Sequence, residues 1–287
     1  MYAITGITGK VGGELARTLL AAGQPVRAVV RDAGKSRQWA ALGCEVAVAT
    51  MEDAPALTKA FAGATGVFIL PPPVFDPEPG CKEARAMIDS VVQALKAAKP
   101  AKVVSLSTIG ADAAQDNLLS QHTVIEAALR SLPMPVTLLR PAWFIDNAAW
   151  DVASARDTGV IHSFLLPTDK AIPMVAAHEV GQVAARLIQE DWTGTRIAEL
   201  EGPSRVSPDD LASAFASALG KPVRAVPVPR ESWEQQFRTQ GMKNPYPRIR
   251  MLDGFNENWI AFANNGSRTI KGSISAEATI AALVAGA

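Results

Sequence analysis

The sequence predicts an α/β protein built on a doubly wound parallel sheet, with a smaller C-terminal α/β lobe. Short apolar runs typical of buried strands alternate with helix-length amphipathic segments through residues 1–142. A glycine-rich turn joins the first apolar run to the first amphipathic segment. After residue 142 this alternation gives way to aromatic residues and shorter strand signals. Alternating strands and helices are typical of parallel sheets that carry helices on both faces.

The individual elements follow from apolar runs and from four-residue spacing. We expect strands over residues 2–5, 26–30, 45–49, 66–70, 102–107 and 136–139. We expect helices over residues 11–22, 36–42, 56–61, 81–98 and 117–132. Right-handed crossovers bring the carboxyl ends of such strands to one edge, where α/β sheets bind ligands. The loops that follow the strands are therefore the expected ligand site.

The pattern divides the chain into a nucleotide-binding domain, residues 1–142, and a substrate-side lobe, residues 143–287. Within the lobe we expect a helix over 178–189, a strand over 196–201, a helix over 209–219 and an extended segment over 223–228. The lobe is expected to pack over the ligand edge. Whether one of its strands re-enters the main sheet is left open.

Composition gives no reason to expect nucleic acid or a membrane as a partner. The chain has 28 basic and 28 acidic residues, so no global field favours nucleic acid or an anionic membrane surface. Cys44 and Cys81 form no Cys-x-x-Cys motif, which favours a reducing compartment. No apolar run is long enough to span a bilayer, and we expect no leader because the first predicted strand begins at residue 2. We expect a cytoplasmic protein.

The spacing Gly-x-x-Gly-x-x-Gly between the first strand and the first helix indicates a phosphate cradle. The first glycine permits the turn, the second lets a pyrophosphate approach the backbone, and the third lets helix and strand pack closely. The amide groups at the helix N-terminus would point at the phosphates. The residues expected to bind the cofactor here are Gly6, Thr8, Gly9, Lys10, Val11 and Gly12.

The loops after the second and third strands bear on the choice of dinucleotide. Arg31 stands where an acidic residue would accept a ribose hydroxyl, and a cation there accommodates a 2′-phosphate. NADP(H) is therefore favoured over NAD(H), although Arg31, Lys35 and Arg37 also fit a solvated basic turn that Asp32 partly neutralises. Asp53 is placed either to receive the adenine amino group or to cap the next helix.

The loops after the fourth and fifth strands are expected on the nicotinamide side. Pro71 and Pro72 stiffen the first loop, which should run beside the pyrophosphate and the nicotinamide ribose. Ser107 is a candidate both for cofactor binding and for catalysis, while Thr108 and Ile109 are candidates for the substrate pocket. Hydroxyl groups at strand ends are also common turn formers, so a structural role stays open.

His122 is the second catalytic candidate. It lies four residues before Glu126, so both occupy one face of the expected helix. An imidazole there could bond the nicotinamide ribose or orient a substrate. His162 and His178 show no metal-ligand spacing with it, and no metal is expected.

Four segments together resemble the NmrA-like branch of the atypical short-chain dehydrogenases. They are the glycine motif, Val29-Val30-Arg31, the His122 and Glu126 pair, and the run Thr-Leu-Leu-Arg-Pro-Ala-Trp-Phe-Ile-Asp-Asn at 137–147. The resemblance covers nearly the whole chain and implies a Rossmann-type fold. It also implies one of the family's functions: NADPH:quinone reductase without zinc, triphenylmethane or azo-dye reductase, or dinucleotide-sensing regulator.

One departure from the wider superfamily limits the chemistry. The only tyrosines are Tyr2 and Tyr246, so the Tyr-x-x-x-Lys pair that moves a hydroxyl proton is absent. A quinone-like or other conjugated acceptor needs such an acid least, because hydride addition gives a stabilised anion. We therefore expect an NADPH-dependent reductase, with Trp143 and Phe144 either lining an apolar pocket or packing between the lobes. A regulatory protein that binds the dinucleotide without turnover, and acts through a protein partner, is the alternative.

Overall fold

The computed structural model describes residues 1–286, apart from the side chains of residues 264 and 265. Strands and helices alternate along the first half of the chain. The strands are β1 (Tyr2–Ile4), β2 (Val26–Val30), β3 (Glu45–Val48), β4 (Gly66–Ile69), β5 (Lys102–Leu106) and β6 (Val136–Pro141). The helices are α1 (Lys10–Ala21), α2 (Arg37–Ala41), α3 (Ala54–Phe61), α4 (Lys82–Ala98) and α5 (Ser120–Leu129).

The second half contains seven further strands and six further α-helices in the described residues. The strands are β7 (Trp143–Phe144), β8 (Val160–Ser163), β9 (Ile172–Val175), β10 (Thr195–Glu201), β11 (Arg205–Val206), β12 (Arg224–Pro227) and β13 (Ile270–Lys271). The helices are α6 (Val152–Thr158), α7 (Ala177–Gln189), α8 (Pro208–Leu219), α9 (Trp233–Thr239), α10 (Tyr246–Asn256) and α11 (Ala276–Ala285).

The main sheet has eight strands in the order β13-β10-β6-β5-β4-β1-β2-β3. Within this sheet β1 pairs in parallel with β2 on one side and with β4 on the other. The pairs β2–β3, β4–β5, β5–β6 and β10–β13 are parallel as well. The run from β3 to β6 is the doubly wound order in which the chain reverses direction at β1. The predicted α/β doubly wound fold is confirmed.

The predicted element bounds hold to within two residues for every strand and helix of the first half except α5. That helix was predicted over 117–132 and forms only over Ser120–Leu129. At its start, the Asn117 side chain accepts a hydrogen bond from Leu119 N–H at 2.8 Å, which closes a local turn. At its end, the N–H groups of Ser131 and Leu132 donate to carbonyls three residues earlier, so the last turn is tightened.

Apolar side chains of α3, α4 and α5 cover one face of the sheet. Their fully buried members include Leu57, Phe61, Val91, Leu95 and Leu129. Elsewhere, a glycine brings α1 and α7 into close contact. A Cβ atom on Gly181 would lie 2.6 Å from the Glu14 Cβ, so the close approach of the two helices requires glycine.

The chain divides into two compact units. The first consists of Met1–Ala111, Ser120–Arg140 and His178–Ala198, and the second of Asp112–Leu119, Pro141–Ala177 and Glu199–Ala287. The first unit thus includes residues 178–198, beyond the expected boundary at 142. The segment that re-enters the main sheet is β10, which takes the place next to β6.

The second unit is organised around aromatic side chains and two small sheets. Strands β8 and β12 pair in parallel, and β11, β9 and β7 form a three-stranded sheet. Trp233 and Phe237 are fully buried, and the Phe164 ring lies 5.6 Å and 5.1 Å from their ring centroids. The Trp233 indole N–H donates to the Val228 carbonyl at 2.9 Å, so its polar atom is satisfied in the core.

Candidate functional site

The turn from β1 into α1 depends on Gly6. Its φ of +63° lies in the left-handed region that favours glycine. A Cβ atom on Gly6 would also lie 2.9 Å from the Leu70 Cβ. The Gly6 carbonyl accepts a hydrogen bond from Gly9 N–H at 3.0 Å, which closes the loop. Both the backbone conformation and the packing therefore require glycine at this position.

The reason for glycine differs between the other two positions of the motif. A Cβ atom on Gly12 would lie 2.4 Å from the Gly6 carbonyl oxygen, a distance that packing of α1 against the loop does not allow. A Cβ atom on Gly9 would meet only the same oxygen, at 3.4 Å, which is an ordinary contact. Among the described residues, nothing requires glycine at position 9. Close approach of a ligand to the loop backbone is a physical reason for it.

The N-terminus of α1 carries no side-chain cap. Gly9 is the N-cap residue, and the first turn holds no acidic residue. Helix N-termini leave amide N–H groups without intrahelical partners, and together with the helix dipole these groups bind anions. Thr8 and Lys10 are exposed beside them, whereas the Val11 side chain is buried in the core. At Val11, therefore, the backbone amide but not the side chain can contact a ligand.

Thr5 ties the end of β1 to the end of β4. It is buried, and its hydroxyl donates to the Phe68 carbonyl at 3.1 Å while accepting from Leu70 N–H at 2.8 Å. These bonds place Leu70 against Gly6. The loop that begins there is attached at its other end, where the Gln121 side-chain amide donates to the Val74 carbonyl at 3.0 Å.

The two predicted prolines lie inside this attached loop. Pro71 is buried and Pro72 is half-buried. Because the proline rings fix φ and both ends of the loop are hydrogen-bonded, the segment has little conformational freedom. It borders the glycine loop, since β4 is the neighbour of β1.

Three cations follow β2 at the same edge of the sheet. Arg31, Lys35 and Arg37 are all exposed, and none of them forms an ion pair with a described residue. The Asp32 carboxylate accepts a hydrogen bond from Gly34 N–H at 2.8 Å and caps the short turn 33–35. The cations are therefore available for an anion near the glycine loop.

Asp53 caps α3. Its carboxylate accepts a hydrogen bond from Ala56 N–H at 3.0 Å, and Pro55 occupies the first helical turn. The capping alternative is thus present in the structure. The side chain is exposed, so a role toward adenine stays a prediction.

A buried polar cluster follows β5. The Ser107 hydroxyl donates a hydrogen bond to Glu126 Oε1 at 2.6 Å. Arg140 donates to the same carboxylate twice, from Nε to Oε1 at 2.8 Å and from Nη2 to Oε2 at 2.7 Å. Arg130 adds a longer contact to Oε2 at 3.2 Å from a side chain that is 42% exposed. These contacts join β5, α5 and β6.

The carboxylate of this cluster is held in its charged form. Burial raises the pKa of Glu126, but the hydrogen bonds from Arg140 and Ser107, together with the charge of Arg140, outweigh it and leave the pKa below its usual value. Such a bidentate contact between guanidinium and carboxylate is among the stronger hydrogen-bonding arrangements in proteins. Glu126 is therefore ionised at neutral pH.

His122 lies one turn before Glu126 on α5. Its Nδ1 atom is buried and has no hydrogen-bond partner, although the residue as a whole is only half-buried. Burial lowers the pKa of His122 to about 4, against a smaller opposite effect of the Glu126 charge. The imidazole is therefore neutral at neutral pH, so it does not serve as a ready proton donor.

The four predicted pocket residues lie in different units. Thr108 is half-buried and Ile109 is 1% exposed, both in the first unit. Trp143 and Phe144 form β7 in the second unit, where both are half-buried. The Trp143 ring packs edge-on against Phe255 with the centroids 5.2 Å apart. Their roles toward a substrate stay predictions.

Several residues of this edge were missed or underrated from sequence. Thr5 and Gln121 carry no local signature, because their partners lie 63 and 47 residues away in the chain. Arg140 did give a signal, since a charged residue at the end of an apolar strand needs a counter-ion. The position of Glu126 on the His122 face of α5 offered the matching carboxylate.

Neither a metal centre nor a membrane-spanning helix is found in the part of the chain that the structure describes. No group of three His, Cys, Asp or Glu side chains there could hold a metal ion. None of the helices within residues 1–286 is both long enough and apolar enough to cross a bilayer.

The strand order, the glycine loop after β1 and the uncapped helix that follows it define a Rossmann-type α/β protein with a dinucleotide-type cradle. The space left at Gly9 and the three available cations fit such a cofactor. The chain belongs to the NmrA-like family, whose model matches residues 2–281. The family resemblance predicted from sequence is confirmed.

Proteins similar to this chain are named as reductases or oxidoreductases. NAD(P)H azoreductase of Xenophilus azovorans is 28% identical over 251 residues, covering 84% of this chain and 82% of that protein. Quinone oxidoreductase 2 of Escherichia coli strain K12 is 28% identical over 225 residues, covering 78% and 76%. The solved structure of the NADPH-dependent quinone oxidoreductase of Escherichia coli, complexed with NADPH, has a TM-score of 0.81 at 23% identity over 99% of each chain. The triphenylmethane reductase of Citrobacter sp. has the same TM-score at 22% identity, again over 99% of each chain.

Proposed function

We propose that this protein is an NADPH-dependent oxidoreductase that transfers hydride to a quinone-like or other conjugated small molecule. Membership of the NmrA-like family and the relatives named as azoreductase and quinone oxidoreductase support an NAD(P)H-dependent oxidoreductase. The observation that carries the proposal is the glycine at position 9, which the fold itself does not require and which leaves the loop backbone open to a ligand.

The cofactor would be held by backbone at one end and by cations at the other. Gly6, Gly9 and Gly12 and the first amides of α1 would bind the pyrophosphate, with Thr8 and Lys10 beside them. Arg31 would bind the 2′-phosphate through charge-assisted hydrogen bonds. Asp53 keeps its capping role and has a second carboxylate oxygen for the adenine amino group. Pro71 and Pro72 would border the nicotinamide half.

The electrostatics of the cluster after β5 favour an acceptor that needs no protein acid. When bound, the nicotinamide supplies a hydride to the acceptor. Glu126 is ionised, His122 is neutral with a pKa of about 4, and the Ser107 hydroxyl proton is committed to Glu126. None of these groups readily gives up a proton at neutral pH. A quinone fits this arrangement, because hydride addition gives a stabilised anion that takes its proton from solvent.

The substrate pocket would lie where the nicotinamide side opens. Ser107 and Thr108 would contact the cofactor or the acceptor, and Ile109 would support them from the core. Trp143 and Phe144, in the second unit, stay predicted substrate contacts. Proximity and orientation, rather than acid catalysis, would carry most of the rate enhancement.

The test is reductase activity with purified protein. The loss of reduced-nicotinamide absorbance would be followed with NADPH and with NADH against a panel of benzoquinones and naphthoquinones, with enzyme-free controls. We expect protein-dependent consumption of NADPH, slower consumption of NADH, and a preference for NADPH that falls about tenfold in Arg31→Gln, the loss typical of one charge-assisted hydrogen bond. Lys96→Gln serves as the control, because it removes an exposed cation in the last turn of α4, away from the glycine loop.

Two outcomes would contradict the proposal in different ways. If NADPH binds but is not consumed with any acceptor of the panel, a regulatory protein that senses the dinucleotide becomes the better account. If neither dinucleotide binds, the cradle itself has been misassigned.

A further inference from the structure

The Ser107 hydroxyl oxygen can only accept further hydrogen bonds. A serine hydroxyl offers one donor hydrogen and two acceptor lone pairs. Its hydrogen is directed at Glu126 Oε1 at 2.6 Å. Because Glu126 is ionised and both its oxygens also accept from Arg140, this carboxylate cannot act as the donor. No described residue donates to the Ser107 oxygen in return.

The direction of this hydrogen bond is fixed by charge. Glu126 and Arg140 have side chains that are 5% and 4% exposed, so water does not compete strongly for the carboxylate. The Ser107 backbone is fixed too, since its N–H donates to the Leu139 carbonyl at 2.7 Å. A rotation of the hydroxyl toward a ligand would leave a buried carboxylate oxygen short of one donor, which is costly.

We propose that Glu126 and Arg140 are positioning residues that make Ser107 an obligate hydrogen-bond acceptor for the carboxamide N–H of the nicotinamide. This inference rests on the proposed function, and it assigns one polar contact within that site. The strand order indicates along which part of the sheet edge the nicotinamide end of the cofactor would lie. The glycine loop follows β1, and β4 and β5 succeed it along the sheet edge toward Ser107.

In this role Ser107 does not take part in proton transfer. A serine that can only accept does not stabilise a developing oxyanion on the acceptor. It selects the face and the amide orientation of the nicotinamide instead. Ser107 is buried and only 5% exposed, which is too little surface for contact with a whole substrate.

The test compares two ligands that differ at one donor. Oxidised NADP binds with its carboxamide, whereas 3-acetylpyridine adenine dinucleotide phosphate carries a methyl ketone and has no N–H group there. Dissociation constants would be measured by isothermal titration calorimetry on wild type, Ser107→Ala, Ser107→Thr and Arg130→Gln. Thermal unfolding would verify that each variant is folded.

We expect wild type to bind NADP about threefold to tenfold more tightly than the acetylpyridine analogue, the range for one neutral hydrogen bond. Ser107→Ala should bind the two ligands equally, and Ser107→Thr should restore the discrimination. Arg130→Gln should keep it, because Arg130 is the exposed and more distant partner of Glu126. The double variant Glu126→Met with Arg140→Met removes both buried charges together and should weaken the discrimination without removing Ser107.

The contrary results are distinct from failure of the proposed function. Equal affinities in wild type, or discrimination that persists in Ser107→Ala, would show that the cluster only holds β5, α5 and β6 together. Such a protein would still bind NADP and reduce quinones. Absence of NADP binding in wild type would overturn both the proposed function and this inference.

Discussion

The glycine loop after β1 and the polar cluster after β5 occupy the same edge of the main sheet and use opposite means. The loop relies on backbone groups, has no capping side chain and leaves space at Gly9. The cluster relies on side chains, and Ser107, Glu126 and Arg140 satisfy one another within the protein. The same edge of the sheet thus combines a loop whose backbone amides can bind an anion with a side-chain cluster that fixes the Ser107 hydroxyl.

The two regions also differ in how much stability the protein loses when an interaction partner is absent. Amides at an exposed helix end can bond water, so an empty cradle costs the fold little. A buried carboxylate that loses its partner keeps an uncompensated charge in a poorly hydrated place. Substitutions in the two regions should therefore separate binding from stability.

The largest effect is expected in the closed region. Arg140→Met removes the buried partner of Glu126 and should lower the free energy of unfolding by about 3–5 kcal/mol. Arg130→Met removes the exposed partner of the same carboxylate and should change it by less than about 1 kcal/mol. Urea denaturation followed by circular dichroism measures both. Equal losses for the two variants would mean that burial does not set the energy of this cluster.

A smaller loss is expected within the cradle, where two neighbouring glycines should behave differently. Gly12→Ala places a Cβ atom against the Gly6 carbonyl and should cost about 1–3 kcal/mol, as overpacking does. Gly9→Ala meets only an ordinary contact and should unfold at nearly the wild-type denaturant concentration. If Gly9→Ala were as unstable as Gly12→Ala, the openness of the loop at position 9 would be refuted.

How much of this edge could be predicted from sequence depends on how local each feature is. The cradle was predicted because a turn, a close approach and a helix start leave their signature in seven consecutive residues. The shortening of α5 was not, because it depends on the turn that Asn117 forms and on the tightened end at Ser131 and Leu132. Local pattern alone does not decide between one more helical turn and such a cap.

The cluster was harder because its members meet only in the folded sheet. Ser107 and His122 were singled out one by one, yet the contact of Ser107 with Glu126 spans 19 residues and that of Glu126 with Arg140 spans 14. The meeting depends on the parallel pairing of β5 with β6 and on the packing of α5 across them. The inclusion of residues 178–198 in the first unit is long-range in the same way.

An expected effect of about the same size as that of Gly12→Ala concerns pH. The pKa of His122 is lowered from 6.5 to about 4, so the unfolded chain binds more protons than the folded one between these values. The free energy of unfolding should fall by about 1–3 kcal/mol as the pH drops from 6.5 to 4. His122→Phe should flatten that part of the curve and, because Nδ1 has no partner, should not destabilise the protein at neutral pH. Chemical denaturation at a series of pH values tests this, and a parallel fall in the variant would contradict it.

Calorimetric titration of NADPH into wild type and Gly9→Ala determines whether the loop at Gly9 is open for a dinucleotide. We expect tight binding to wild type and at least about tenfold weaker binding to Gly9→Ala, at unchanged unfolding free energy. Equal NADPH affinity in the two proteins would contradict this expectation, because the methyl group would then occupy space that no ligand uses.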